Sequence, residues 1–108
     1  MLENAMTIQP IELFKALADP TRLRIVNILF QKEARCVGEL VDMLEQPQPT
    51  ISRHLNHLKK VGLVSCVRDG TWMWYEVADD LPKWCEGTLE ITNKAVSELA
   101  YSLSLIPI

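Results

Sequence analysis

Apolar positions along this chain change period several times, and each change marks an element. Between Ile8 and Ala18, the residues Ile11, Phe14, Leu17 and Ala18 recur at spacings of three, three and one, which predicts a short amphipathic helix. Asp19-Pro20 then interrupts the pattern; Asp19 is a good N-cap and Pro20 suits a first helical position, so a second helix is expected from there to about Phe30. Its Leu23, Ile25, Val26, Ile28, Leu29 and Phe30 occupy most of the circumference, which predicts a buried central strut with Thr21, Arg22 and Arg24 reaching solvent on the remaining sliver. After a polar loop from Gln31 to Arg35, Val37, Leu40, Val41 and Leu44 form one stripe, so a third helix should start near Cys36 or Val37 and end near Leu44.

Glu45-Gln46-Pro47-Gln48-Pro49 leaves room only for a tight turn, and Pro49 fits only the first turn of the helix that follows. That fourth helix should reach about Val61, where Gly62 supplies a stop. Two helices joined by about four turn residues read as a helix-turn-helix. Leu63 to Arg68 and Thr71 to Val77 are rich in Val, Trp, Tyr and Thr and flank Asp69-Gly70, a strong hairpin signal. Within the second strand Met73, Tyr75 and Val77 alternate with Trp72, Trp74 and Glu76, so one set faces the core.

Asp80-Leu81-Pro82 repeats the cap-and-proline signal, and nothing stops the helix it begins before about Ser102. Cys85, Leu89, Thr92, Val96, Leu99 and Leu103 fall at spacings of 4, 3, 4, 3 and 4, a heptad-like seam. So long an apolar stripe exceeds what one small domain can cover. A homodimer is therefore expected, in which the first and last helices meet a second copy through Phe14, Cys85, Leu89, Val96, Leu99 and Leu103. The fold class is then mainly α with a small β-wing: a winged helix-turn-helix of five helices and a β-hairpin, one domain over residues 1–108.

Charge sharpens the reading. The chain carries 11 Lys+Arg against 14 Asp+Glu, a net charge of −3, which excludes a generally basic nucleic-acid coat. Yet Gln46 to Arg68 holds four cations (Arg53, Lys59, Lys60, Arg68) and no acid, leaving 7 cations against 14 acids elsewhere. A segment cleared of negative charge is what a surface facing a polyanion needs. With Ile51 at zero and 100° per residue, Leu55, Leu58 and His54 lie within about 60° of it, forming a core stripe with Val61 just beyond. His54 is therefore expected to be a packed histidine rather than a DNA contact. Gln48, Thr50, Ser52 and Arg53 lie near the start of the helix, the part that enters the major groove, and are the candidates for base edges. Asn56 shares that face, His57, Lys59 and Lys60 are placed for phosphates, and Arg68 sits beside the hairpin tip. Operator DNA is the expected partner.

The segments PIELFKALADPTRLRIVNIL, QPQPTISRHLNHLKKVGLV and DGTWMWYEV resemble those of the ArsR family of small bacterial winged-helix repressors, over nearly the full chain. The resemblance implies a dimeric repressor bound near its own promoter and released by an inducer, and it supports Gln48, Ser52 and Arg53 as DNA readers. It implies less about the input. Members closest to this chain hold arsenite with a C-V-C pair and a third nearby thiol, but here the segment reads RCVGELV, with Gly38 and Val41 where the other thiols would stand. One thiolate cannot supply the three soft ligands a trivalent metalloid wants. Zinc-sensing members use histidines on the last helix, and Leu81 to Ser102 contains none.

Cys36, Cys66 and Cys85 are odd in number and never paired as C-x-C or C-x-x-C, which argues against a disulfide framework or zinc ribbon. Cys36 is the candidate reactive thiol or metalloid ligand, since a helix N-terminus and the adjacent Arg35 both favour a thiolate. Three inputs stay open: a thiophilic inducer such as arsenite, a redox or electrophile signal through Cys36, and no metal at all. A thiol enzyme is disfavoured because both histidines sit on the fourth helix, away from any cysteine in sequence. An interaction module without DNA binding is disfavoured by the acid-free window. No apolar run approaches the roughly 20 residues needed to span a bilayer and MLENAMTIQP is not a secretory leader, so a cytoplasmic protein with no membrane partner is expected.

Overall fold

The computed structural model describes residues 7–104, and the side chains of residues 7–99. Its elements are α1 (Pro10–Leu17), α2 (Pro20–Leu29), β1 (Arg35–Cys36), α3 (Val37–Leu44), α4 (Gln48–Lys60), β2 (Val64–Asp69), β3 (Trp72–Val77) and α5 (Lys83–Ser104). The chain is a mainly helical winged helix-turn-helix, and its wing is a three-stranded antiparallel sheet in the order β1-β3-β2.

Leu29, Leu40, Ile51, Leu55 and Leu58 are fully buried where α2, α3 and α4 meet, and Leu63, Val64 and Tyr75 continue this core under the sheet. Burying one such side chain is worth about 1.5–3 kcal/mol. Asp19 caps α2 as its sequence predicts, Oδ2 accepting the Thr21 and Arg22 amides at 3.0 and 3.1 Å. Around α2 only Ile25, Val26 and Leu29 are fully buried among the apolar residues, while Leu23, Ile28 and Phe30 are half-buried. Thr21 departs from its expected exposure: it is buried, and its Oγ1 donates to Gln46 Oε1 at 3.0 Å, because the turn before α4 folds back over the start of α2.

The Ile11–Phe14 stripe of α1 does not face this core. Leu13 and Ala16 are buried, whereas Ile11 and Phe14 are 62% and 54% exposed. So short a helix carries two apolar sides, and the protomer covers one. The seam of α5 behaves as a gradient. Cys85 and Leu89 are 0% and 2% exposed, Thr92 and Val96 are half-buried, and Leu99 is 61% exposed. One stripe thus begins inside the protomer's own core and runs off its edge, so Cys85 and Leu89 have no apolar area left to offer a second copy. The Leu103 side chain lies outside the described residues. Pro82 precedes α5 rather than opening it, its carbonyl accepting the Cys85 and Glu86 amides at 3.0 Å.

The hairpin turn falls one residue later than Asp-Gly suggests. Asp69 pairs with Trp72, so the loop is Gly70-Thr71, with Gly70 at φ +66. A two-residue hairpin loop wants positive φ, which glycine adopts without strain. Met73, Tyr75 and Val77 do face the core. The addition of β1, through Arg35↔Tyr75 and Cys36↔Trp74, was not read from the sequence.

Candidate nucleic-acid interface

Between Leu44 and Gln48 the chain turns in three residues. Glu45 takes the left-handed conformation (φ 55) with its amide on Val41 O at 2.8 Å, which ends α3; Pro47 in extended conformation precedes α4. The helix therefore opens at Gln48, one residue before Pro49. This limits the supply of free amides at its start. Pro49 has no N–H, and the Thr50 and Ile51 amides both donate to Pro47 O at 3.1 Å, so in the first turn only the Gln48 amide lacks a backbone acceptor. Any reading of bases by the start of α4 thus falls to side chains.

Those side chains divide as the helical wheel predicts. Ile51, Leu55 and Leu58 are buried, while Gln48, Arg53, Asn56, His57, Lys59 and Lys60 are exposed and Thr50 and Ser52 are half-exposed. Gln48 Nε2 donates to Ser52 Oγ at 3.2 Å across one helical turn, which holds the glutamine along the outer face. At the far end, the amides of Gly62 (φ +86) and Leu63 close on Lys59 O and Leu58 O at 3.0 Å, and the chain passes directly into β2. Arg68 is exposed near the tip of the wing.

His54 is on the inner edge, as expected. Its side chain is 13% exposed, its Nε2 is 3.8 Å from Asp19 Oδ2 and its Nδ1 is 3.3 Å from Arg22 Nη1. The Arg22 amide, His54 and the Arg22 guanidinium together hold the Asp19 carboxyl below its ordinary pKa of 3.8, the amide hydrogen bond contributing most. For His57, partial desolvation and then the neighbouring Arg22, His54 and Lys60 lower the pKa from 6.5. Arg22, Thr21 and Gln46 are structural partners of this helix that sequence reasoning missed; only the ADPTR segment hinted at them.

Negative charge gathers elsewhere. A concavity of about 600 Å³ between α2, β3 and α5 is lined by Glu76, Asp79, Glu86 and Glu90 against the single cation Lys32, and α4 takes no part in it. The acids that line this concavity thus lie apart from α4.

The cysteines do not converge within one protomer. Residues directly opposed in a sheet share a face. Cys66 pairs with Tyr75, which pairs with Arg35, whereas Cys36 pairs with Trp74, so Cys36 and Cys66 point to opposite sides. Cys85 is buried, and desolvation with the neighbouring Glu86 pushes its thiol up to about 11. Cys36 is 7% exposed and ends β1 where α3 begins, its amide donating to Glu39 Oε1 at 3.2 Å. No group of three or more His, Cys, Asp or Glu side chains placed to hold a metal occurs among the described residues, nor does a helix long and apolar enough to cross a membrane.

Comparison with known proteins agrees with this geometry. Residues 19–65 match the profile of the bacterial regulatory protein, arsR family. An HTH-type transcriptional regulator of Methanocaldococcus jannaschii is 50% identical over 72 residues, covering 67% of this chain and 81% of that protein. An arsenic resistance transcriptional regulator of Pseudomonas putida is 37% identical over 91 residues, covering 84% and 79%. Among solved structures, the homodimeric winged helix-turn-helix DNA-binding domain Mb0332 of Mycobacterium bovis superposes with a TM-score of 0.67 at 28% identity, covering 83% of this chain and 80% of that one.

Proposed function

On the premise that this chain belongs to the ArsR family and is a DNA-binding transcriptional regulator, we propose that it acts in the cytoplasm as a homodimeric repressor of its own operon, released by an inducer. One domain carries both tasks. In this reading Gln48, Thr50, Ser52 and Arg53 read base edges, with Arg53 bidentate to a guanine; Asn56, His57, Lys59 and Lys60 meet the backbone; and Arg68 reaches an adjacent groove or phosphate. The single observation that carries it is the outer face of α4, which presents Arg53, Lys59 and Lys60 with no acid from Gln46 to Arg68 while its inner face is locked into the core. The dimer reading rests on apolar surface the protomer leaves uncovered at Phe14 on α1 and at Leu99 on α5, beside half-buried Val96. The homodimeric Mycobacterium bovis domain supports it.

A dimer doubles the four window cations, so if each neutralises one phosphate the logarithm of affinity should fall with the logarithm of salt at a slope of about −7. A gel shift on the DNA upstream of the gene tests the assignment. Arg53→Ala should weaken operator binding by about 1–3 kcal/mol and relax sequence preference, whereas Lys59→Ala should weaken all DNA alike and flatten the salt slope. Salt-insensitive binding, or an Arg53→Ala variant that binds like wild type, is the opposite of what this reading requires.

One placement favours a thiol input over a metalloid one. Cys36 joins the sheet to the first helix of the helix-turn-helix, so chemistry at its sulfur acts where α3 starts, and no second thiol shares its face of the sheet.

A further inference from the structure

Arg22 is not among the residues assigned to the DNA face, yet its side chain joins α2 to both α1 and α4. Its Nε donates to Ala16 O at 2.8 Å and its Nη2 to Lys15 O at 3.2 Å. Both carbonyls belong to the last turn of α1, and Lys15 O also accepts the cap amide of Ala18 at 3.3 Å. Nη1 lies 3.3 Å from His54 Nδ1, at the middle of α4, and the other ring nitrogen of His54 faces Asp19 Oδ2 at 3.8 Å. Asp19 itself is fastened to the start of α2 through the Thr21 and Arg22 amides. A guanidinium donates but never accepts, so a ring that receives Arg22 at Nδ1 presents its proton at Nε2, toward the carboxylate. One imidazole thereby meets Arg22 within hydrogen-bond distance on one side and faces a carboxylate, beyond that distance, on the other.

We infer that Arg22, acting through His54, is a positioning residue that fixes α4 relative to α1 and so sets the spacing at which two recognition helices meet two operator half-sites. The inference rests on the dimer reading above. In that dimer the outer face of α1, with Phe14 54% exposed, lies against the second copy, while the C-terminal carbonyls of α1 hold Arg22. The polar route from the interface to the recognition helix is then α1 carbonyl, Arg22, His54. A two-fold protein must present its recognition helices about 34–36 Å apart to enter successive major grooves on one side of the duplex. An error of an ångström or two at this joint is doubled by the symmetry.

The test compares binding to a duplex carrying both half-sites with binding to one carrying a single half-site, by fluorescence anisotropy, and repeats it with the spacing changed by one and two base pairs. Arg22→Ala should lose about tenfold or more on the two-site duplex, because simultaneous engagement fails, and change little on the single site. Its dependence on spacing should flatten. His54→Leu should behave in the same way, and it carries the test if Arg22→Ala does not fold. His54→Gln, whose amide can both accept from Arg22 and donate to Asp19, should stay near wild type. Equal losses on one-site and two-site duplexes would make Arg22 a DNA contact or a general stabiliser and overturn the inference; so would an unchanged spacing profile, or a His54→Gln protein as defective as His54→Leu. Sedimentation of the wild type is read alongside: a monomer removes the dimer reading and this inference together, whereas a dimer with an unaltered Arg22→Ala spacing profile removes the inference alone.

Discussion

Replacing Asp19 by alanine removes the acceptor for two amides at once, those of Thr21 and Arg22, at 3.0 and 3.1 Å. Loss of an N-cap carboxylate costs about 0.5–2 kcal/mol. Here the upper part of that range applies, because Thr21 is buried and water cannot readily reach its amide in exchange. A loss of about 1–2 kcal/mol corresponds to roughly 5–10 °C in melting temperature for a chain of this size. Asn is as good a cap as Asp, so Asp19→Asn keeps both hydrogen bonds and gives up only the attraction to Arg22 and His54. With the Asp19 side chain 30% exposed, that attraction is worth less than about 1 kcal/mol. The order expected from thermal melts followed by far-UV circular dichroism, at one protein concentration, is wild type and Asp19→Asn close together and Asp19→Ala well below. The pH dependence provides a second axis. The folded-state pKa of Asp19 is depressed from 3.8, so its contribution is present above the unfolded value and is lost as pH falls through the folded one. Wild type should therefore lose more stability on acidification through that region than either variant, neither of which has a carboxylate there to protonate. Equal destabilisation by Ala and Asn would place the effect in the charge and refute the capping account, and an Asp19→Ala protein melting like wild type would refute both.

Gly62→Ala should lower the free energy of unfolding by about 1–2 kcal/mol, read as a lower urea midpoint at unchanged slope: a Cβ there meets nothing within 4 Å, so the whole cost lies in the φ of +86, and an unaltered midpoint would contradict it. Phe14→Glu should convert the dimer to folded monomers in sedimentation while preserving helicity, since Phe14 is absent from the protomer's own core; an intact dimer would point the interface elsewhere. If Cys36 is the input, a thiol-directed oxidant should release wild type from operator DNA and leave Cys36→Ser bound, with Cys85, held near 11, alkylated only on unfolding; equal release of both proteins counts against a Cys36 sensor.

Much of this fold could be read in advance wherever an element was long or its punctuation chemical. The cap at Asp19, the end of α4 at Gly62 and the two sides of α4 follow from residues whose physics is local. The readings that failed each depended on a neighbour in space. Two residues, Arg35 and Cys36, cannot show a period, and they form a strand only because the edge of β3 is there to pair with. Either apolar side of α1 could have met the core, and Leu13 and Ala16 rather than Ile11 and Phe14 do so. Thr21 looked like solvent-facing helix surface until the turn carrying Gln46 covered it. At the candidate site, the polar face of α4 was legible residue by residue. Its support by Arg22 was not, since a joint between residues 22 and 54 leaves no trace in spacing.

The pairing of Arg35 with Tyr75 joins positions forty apart, and what lies between them includes the whole of α3, α4 and β2. Closing so long a loop costs entropy before any contact repays it, whereas the β2–β3 hairpin and the α3–α4 pair are joined by short turns and can form early. The two-residue strand therefore closes over a larger loop than either of these pairs, and only two residues hold it there. Amide exchange should find β1 the weakest part of the sheet, and because Cys36 is at once the end of that strand and the start of α3, each opening frees the first turn of the helix-turn-helix while the core beneath it stays whole.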